Sequence, residues 1–192
     1  MTKKAIINKR DVVYKGRIFE LVRENVTLKN GVTTDLDIIR HPGAAAIVPA
    51  YGYDKIVLIK QYRHAIGEFV WEIPAGTFDN NEDPLECAKR ELLEETGYIA
   101  NFWEKLGEIT PVPAYSDEKI HVYFAANLAK KDQNLDEDEI LDVHTLKVPD
   151  VLNMIHRGEI KDSKTIASIF MATLWMKEKL KRQVDDLNKE AS

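Results

Sequence analysis

Three glutamates, Glu91, Glu94 and Glu95, lie within a single span of five residues, directly after Arg90. On a helix, positions three and four apart share a face, so these acids would gather on one side. Leu85, Ala88 and Leu92, spaced i, i+3 and i+7, would make an adjoining apolar face. Like charges so placed cost an exposed helix a few tenths of a kcal/mol. At ~5 Å in a half-buried cleft the repulsion rises to roughly 3 kcal/mol per pair at an effective dielectric near 20. Something positive must therefore sit among them. Carboxylate oxygens without paired His or Cys favour a hard cation, and Mg2+ or Mn2+ shared with a polyphosphate substrate is the natural occupant. A solvated acidic helix face is the plain alternative.

The local chain is well suited to hold such a helix. Asp83 reads as its N-cap, Pro84 as the first helical position, Glu86 as the partner in a D-x-x-E capping box and Gly97 as the stop. Upstream, Trp71-Glu72-Ile73-Pro74-Ala75-Gly76 leads the chain into a glycine-hinged loop. Arg63 closes the strand-like Lys60-Gln61-Tyr62-Arg63 run.

The pattern of Gly76, five residues, Glu82, seven residues, Arg90-Glu91-Leu92, one residue, Glu94-Glu95, one residue and Gly97-Tyr98 resembles the signature of the Nudix hydrolases. Tyr98 stands where an aliphatic residue is common. The likeness extends over nearly the whole chain to the ADP-ribose pyrophosphatase and nucleoside diphosphate sugar hydrolase branch. It runs through Gly16-Arg17-Ile18-Phe19, His41-Pro42-Gly43-Ala44, the pairing of Gln61-Tyr62-Arg63 with Glu72-Ile73-Pro74-Ala75-Gly76, and Pro113 beyond the signature. Ala114 occupies a position where that branch usually has glycine.

This resemblance implies an α/β (α+β) fold: a mixed β-sheet sandwiched between helices, preceded by an antiparallel accessory sheet. It implies that Glu91, Glu94 and Glu95 bind divalent ions with the backbone carbonyl of Ala75, while Glu82 and Arg90 form a structural, orienting pair. Arg63, Arg40, Glu72 and Tyr115 are the implied substrate contacts. Glu139, in the acidic run Asp136-Glu137-Asp138-Glu139, is the implied catalytic carboxylate, with Glu137 its near alternative. The implied reaction is Mg2+-dependent hydrolysis of ADP-ribose to AMP and ribose 5-phosphate, or of another nucleoside diphosphate sugar such as GDP-mannose. A non-catalytic nucleotide-binding module is the contrasting expectation, although such modules usually lose signature carboxylates and this chain keeps them. A homodimer formed through the amino-terminal sheet is also implied.

The remaining composition reads as a single soluble domain. With 192 residues, 44% hydrophobic and 31% charged, the chain can bury one core and a small appendage. A net charge of −5 without a Lys/Arg stripe argues against a nucleic-acid surface. No apolar run approaches a membrane span, and Met1 to Arg10 lacks a signal-peptide core, so a cytoplasmic location is expected. The single cysteine, Cys87, reads as a packed residue of the helix, and the five histidines show no paired metal spacing.

Along the chain, residues 12–40 alternate around the Lys29-Asn30-Gly31 turn as a hairpin or meander. The expected division is an accessory region, 1–41, and a principal domain, 42–192. Strands are expected at Ala44–Pro49, Ile56–Tyr62, Trp103–Ile109, His121–Ala126 and Val143–Leu146, with helices over Pro149–Arg157 and from Asp162-Ser163 onward.

Overall fold

Alternation of apolar and polar residues makes the first three elements strands. In the computed structural model, which describes residues 5–52, 54–135 and 140–190, β1 (Ile6–Lys15), β2 (Glu20–Thr27) and β3 (Thr33–Arg40) form an antiparallel sheet in that order. The β2–β3 turn closes through Gly31, at φ 83°, whose N–H donates to the Leu28 carbonyl at 3.0 Å. β2 buries Val22, Glu24 and Val26 on one side, whereas β1 is exposed along its length. The pattern reading started this meander at residue 12, but the first strand starts at Ile6. Its early half pairs through a polar ladder, Asn8 to Asn25 and Thr27 and Arg10 to Glu24, which apolar alternation does not reveal.

The second sheet has seven strands. β4 (Ala44–Tyr51) lies at its centre, parallel to β9 (Ile120–Lys130) and antiparallel to β5 (Lys55–Arg63). β8 (Tyr98–Ile109) flanks β9, β10 (Leu141–Lys147) flanks β5, and the short β6 (Glu68–Glu72) and β7 (Ala75–Thr77) pair with β5 and β4. Strands β8 and β9 run further than their apolar cores suggested, because their exposed ends continue to pair, Tyr98 with Lys130.

Helices cover both faces, and the period of two along β4 divides the core between them. Ala45 and Ile47 pack with Cys87, Ala88 and Leu92 of α1 (Pro84–Thr96). Ala44, Ala46 and Val48 turn the other way, towards Val151 and Met154 of α2 (Val148–His156) and Ile169 and Ala172 of α3 (Ser163–Glu190). Full burial of side chains such as Ile47, Leu58, Ile73 and Leu92 contributes roughly 2 kcal/mol each. The fold is thus mixed α+β, with the sheet between helices. The two sheets are laced by the 112–118 loop: Ile39 donates to the Tyr115 carbonyl, and Asp117 accepts from Arg40 and from the His41 backbone. Among the described residues no helix is long and apolar enough to cross a membrane.

Candidate active site

α1 starts and stops where local chemistry dictates. Asp83 accepts from the Leu85 and Glu86 amides, Pro84 opens the first turn, and Gly97 ends it at φ 67° while donating to Leu93. Glu86, expected to reach back to Asp83, pairs instead with Lys89 at 2.6 Å. Burying Cys87, Ala88 and Leu92 against the sheet fixes the rotation of the helix, and that rotation aims Glu91, Glu94 and Glu95 at β7.

The positive group demanded by those acids is Arg90. Its guanidinium grips Glu82 with two bonds of 2.9 Å and reaches Glu91 at 2.7 Å and Glu94 at 2.9 Å, with a further bond to the Thr77 carbonyl. The Arg90 hydrogen bonds outweigh partial desolvation and hold the Glu82 carboxyl at about 2. Glu95 is 1% exposed and accepts from the Ala75 amide at 2.8 Å. Gly76 is required by proximity, because a Cβ there would overlap the Glu91 carboxylate. Cys87 is sealed beneath this cluster; desolvation and the neighbouring Glu91 and Glu82 push its thiol up to about 12, so it is no nucleophile.

Opposite the acids lies a second charged group. Arg63 binds both oxygens of Glu72, at 2.7 and 2.8 Å, and Lys164 bonds one of them at 2.7 Å. Burial pushes the Glu72 carboxyl up, but the Arg63 hydrogen bonds and the Lys164 charge prevail and hold it at about 2, against 4.5 ordinarily. For this enclosed carboxylate that depression corresponds to about 3 kcal/mol of stability. Because the folded value lies below the unfolded one, the contribution is complete above about pH 4.5 and is lost as pH falls towards 2. The melting temperature of wild type should therefore drop more steeply through that window than that of Glu72→Gln. Parallel curves would contradict the pairing.

A cavity of about 1280 Å³ joins the two groups, lined by Arg63, Ala75, Glu82 and the Arg90–Glu95 acids, and bounded on other sides by Arg17, His41, His64 and Lys164. The other expected contacts lie elsewhere. Glu72 stands behind Arg63. Arg40 is drawn to Glu24 and Asp117, at 2.7 and 2.8 Å, and Tyr115 is half exposed on the loop beside β3. Glu139 and Glu137 fall outside the described residues, but the flanks of their run do not. Before it, Lys131, Gln133 and Asn134 bond the carbonyls of Gly97, Glu95 and Glu94; after it, the Ile140 carbonyl accepts from Tyr62. These described flanks are therefore held at the end of α1 and at Tyr62. Gly97 permits the first anchor, since a Cβ would come within 2.9 Å of the Lys131 carbonyl.

The donors fit a hard divalent ion in kind: carboxylate oxygens gathered over a glycine that leaves them room. Among the described residues no three acidic, His or Cys side chains converge as a ready ion site, because Arg90 spans Glu91 and Glu94. Sequence reasoning missed Lys164, whose partner Glu72 lies 92 residues away. It also missed the placement of Arg17, His41 and His64 on the rim.

Known proteins resemble this arrangement. The NUDIX domain profile matches residues 40–169. A methanol dehydrogenase activator of Bacillus methanolicus is 40% identical over 84% of this chain and 88% of its own. An ADP-ribose pyrophosphatase of Bacillus subtilis is 35% identical over 91% and 94%, and a GDP-mannose pyrophosphatase of Citrobacter koseri 34% over 82% and 89%. The crystal structure of an ADP compounds hydrolase superposes with a TM-score of 0.82 at 23% identity, over 93% of this chain and 97% of that one.

Proposed function

Because this chain belongs to the Nudix family and is a pyrophosphohydrolase, we propose that it cleaves the diphosphate bridge of ADP-ribose to AMP and ribose 5-phosphate. A divalent cation, Mg2+ or Mn2+, would be held by Glu91, Glu94 and Glu95 with the Ala75 carbonyl. The observation that carries this reading is one cavity with the acids of α1 on one wall and the Arg63–Glu72–Lys164 group on another. An acidic wall needs a cation before it can approach a diphosphate, while Arg63 on the other wall can receive it directly.

When bound, the cation neutralises the diphosphate oxygens and makes water a better nucleophile at neutral pH. The protein's own part is positional. Glu82 and Thr77 hold Arg90, Arg90 sets the carboxylates of Glu91 and Glu94, and Ala75 sets Glu95. Arg63, with Nε and Nη2 committed to Glu72, keeps Nη1 for a phosphate oxygen. Glu139, with Glu137 as alternative, is proposed to take the proton of the attacking water. Arg40 and Tyr115 would contact substrate only after leaving their present partners.

Product chromatography after incubation with Mg2+ and ADP-ribose or GDP-mannose tests this. AMP and ribose 5-phosphate forming fastest supports it. Faster cleavage of GDP-mannose, suggested by the Citrobacter koseri relative, would keep the chemistry and overturn the specificity; no turnover would favour a binding module. The named role of the Bacillus methanolicus relative makes stimulation of an alcohol dehydrogenase a separate assay.

A homodimer built on the 1–41 sheet is part of the same proposal. Its support is the apolar surface that β1 leaves in solvent, where Ile6, Val12, Val13 and Tyr14 are each more than half exposed. Light scattering at twice the monomer mass is the expected result, and a monomer would refute it.

A further inference from the structure

We propose that Lys164 is a positioning residue of this cavity: from the first turn of α3 it shares Glu72 with Arg63, and so leaves Arg63 able to face the phosphates of the substrate. The proposal rests on the diphosphate-binding reading above and goes beyond it.

A lysine in the first turn of a helix opposes the helix dipole, which favours acids there; the first turn of α3 contains none. Lys164 is nevertheless enclosed, its side chain 13% exposed, with Nζ placed 2.7 Å from Glu72 and 3.0 Å from Asp162. Such a position holds only if the surrounding charges fix it. The neighbouring bonds show how the turn is built. Asp162 accepts from the Thr165 amide and hydroxyl, at 2.8 and 2.6 Å, and the Thr165 hydroxyl accepts from the Ile73 amide at 2.9 Å. Lys164 and Thr165 thus grip Glu72 and Ile73, which lead through Pro74 into β7, whose Ala75 and Gly76 face Glu95 and Glu91.

The electrostatic consequence concerns Arg63. Glu72 is nearly closed to solvent, its side chain 5% exposed, while Arg63 is 42% exposed. With Lys164 present, two cations serve this carboxylate, and the four groups Arg63, Lys164, Glu72 and Asp162 balance. Without Lys164 the group is net negative beside an incoming diphosphate. Arg63 then becomes the sole countercharge of a buried acid, and a phosphate oxygen must compete with that acid for it. The cost falls on substrate binding rather than on the chemical step.

Steady-state kinetics on ADP-ribose with Mg2+ and proton–nitrogen spectra of arginine Nε–H groups test this together. Lys164→Met and Lys164→Gln should each raise KM about tenfold with kcat changed by less than about twofold, while Lys164→Arg returns KM to within about threefold of wild type. In the spectra, the Arg63 Nε–H signal, assigned by its loss in Arg63→Lys, should exchange at least about threefold more slowly in both neutral variants, because Glu72 then holds Arg63 alone, and return to the wild-type rate in Lys164→Arg. Unchanged KM and unchanged Arg63 exchange would overturn the proposal, even if the melting temperature falls, because that pattern belongs to a merely structural lysine. If wild type cleaves no diphosphate, the functional reading fails, and the Arg63 signal alone then decides for or against the Lys164 linkage. Should Lys164→Met not fold, Lys164→Gln carries the same comparison.

Discussion

Glu95→Gln is expected to lower turnover of ADP-ribose by about a thousandfold while the fold persists, the loss typical of removing one electrostatic stabiliser of a developing charge. Glutamine has nearly the volume of glutamate, so the packing of a side chain that is 1% exposed is kept. Its amide oxygen can still accept from Ala75, as Glu95 does at 2.8 Å. What disappears is a negative charge beside Ala75, and with it one proposed donor for a hard cation. The check is paired: near-ultraviolet circular dichroism superimposable on wild type, and product chromatography showing the loss. Turnover within about twofold of wild type would remove Glu95 from the site.

Arg90→Met should produce a different failure, a loss of about 3 to 5 kcal/mol in unfolding free energy by urea titration. The guanidinium satisfies Glu82, Glu91, Glu94 and the Thr77 carbonyl at once. Methionine fills part of the space and leaves three half-buried acids facing one another. The deficit should depend on pH with a definite sign. Arg90 holds Glu82 at about 2, below its ordinary 4.5, so this part of its contribution is present above about pH 4.5 and fades as pH falls towards 2. Wild type and variant should converge in acid. A wild-type urea midpoint at neutral pH would show that the pair is idle. A drop in activity without a drop in stability would make Arg90 a reactant rather than a support.

The contrast between these two residues follows what the sequence could show. α1 was legible to the residue because its signals are local: Asp83 and Pro84 at one end, Gly97 at the other, and an apolar stripe between them. The need for a positive group among the acids was legible too, but not that Arg90 meets it within the same helix. The β5–β6 hairpin puts Arg63 and Glu72 on one face but not side by side: its register pairs Arg63 with Glu68 and Ile59 with Glu72, so the guanidinium reaches back along the sheet to its partner. Lys164 has no such local signature, since α3 reaches Glu72 only after the whole sheet is assembled. Arg40 was placed near the ligand by analogy, yet it lies between Glu24 and Asp117, and the burial of Glu24 decides that geometry. Patterns report local preference; competition among distant charges is settled only in three dimensions.

The seat that Arg90 occupies between Glu91 and Glu94 has a thermodynamic consequence. On the proposed reading, ion uptake at this helix would be an exchange, in which an incoming divalent cation takes the place of a guanidinium already bonded to Glu91 and Glu94. Its apparent affinity would then be a difference between two sets of cation–carboxylate bonds, with Arg90 still bonded to Glu82. Small zinc domains, by contrast, unfold when their ion leaves. Here the chain carries its own cation among the acids, so loss of the proposed metal would idle the protein without dismantling it.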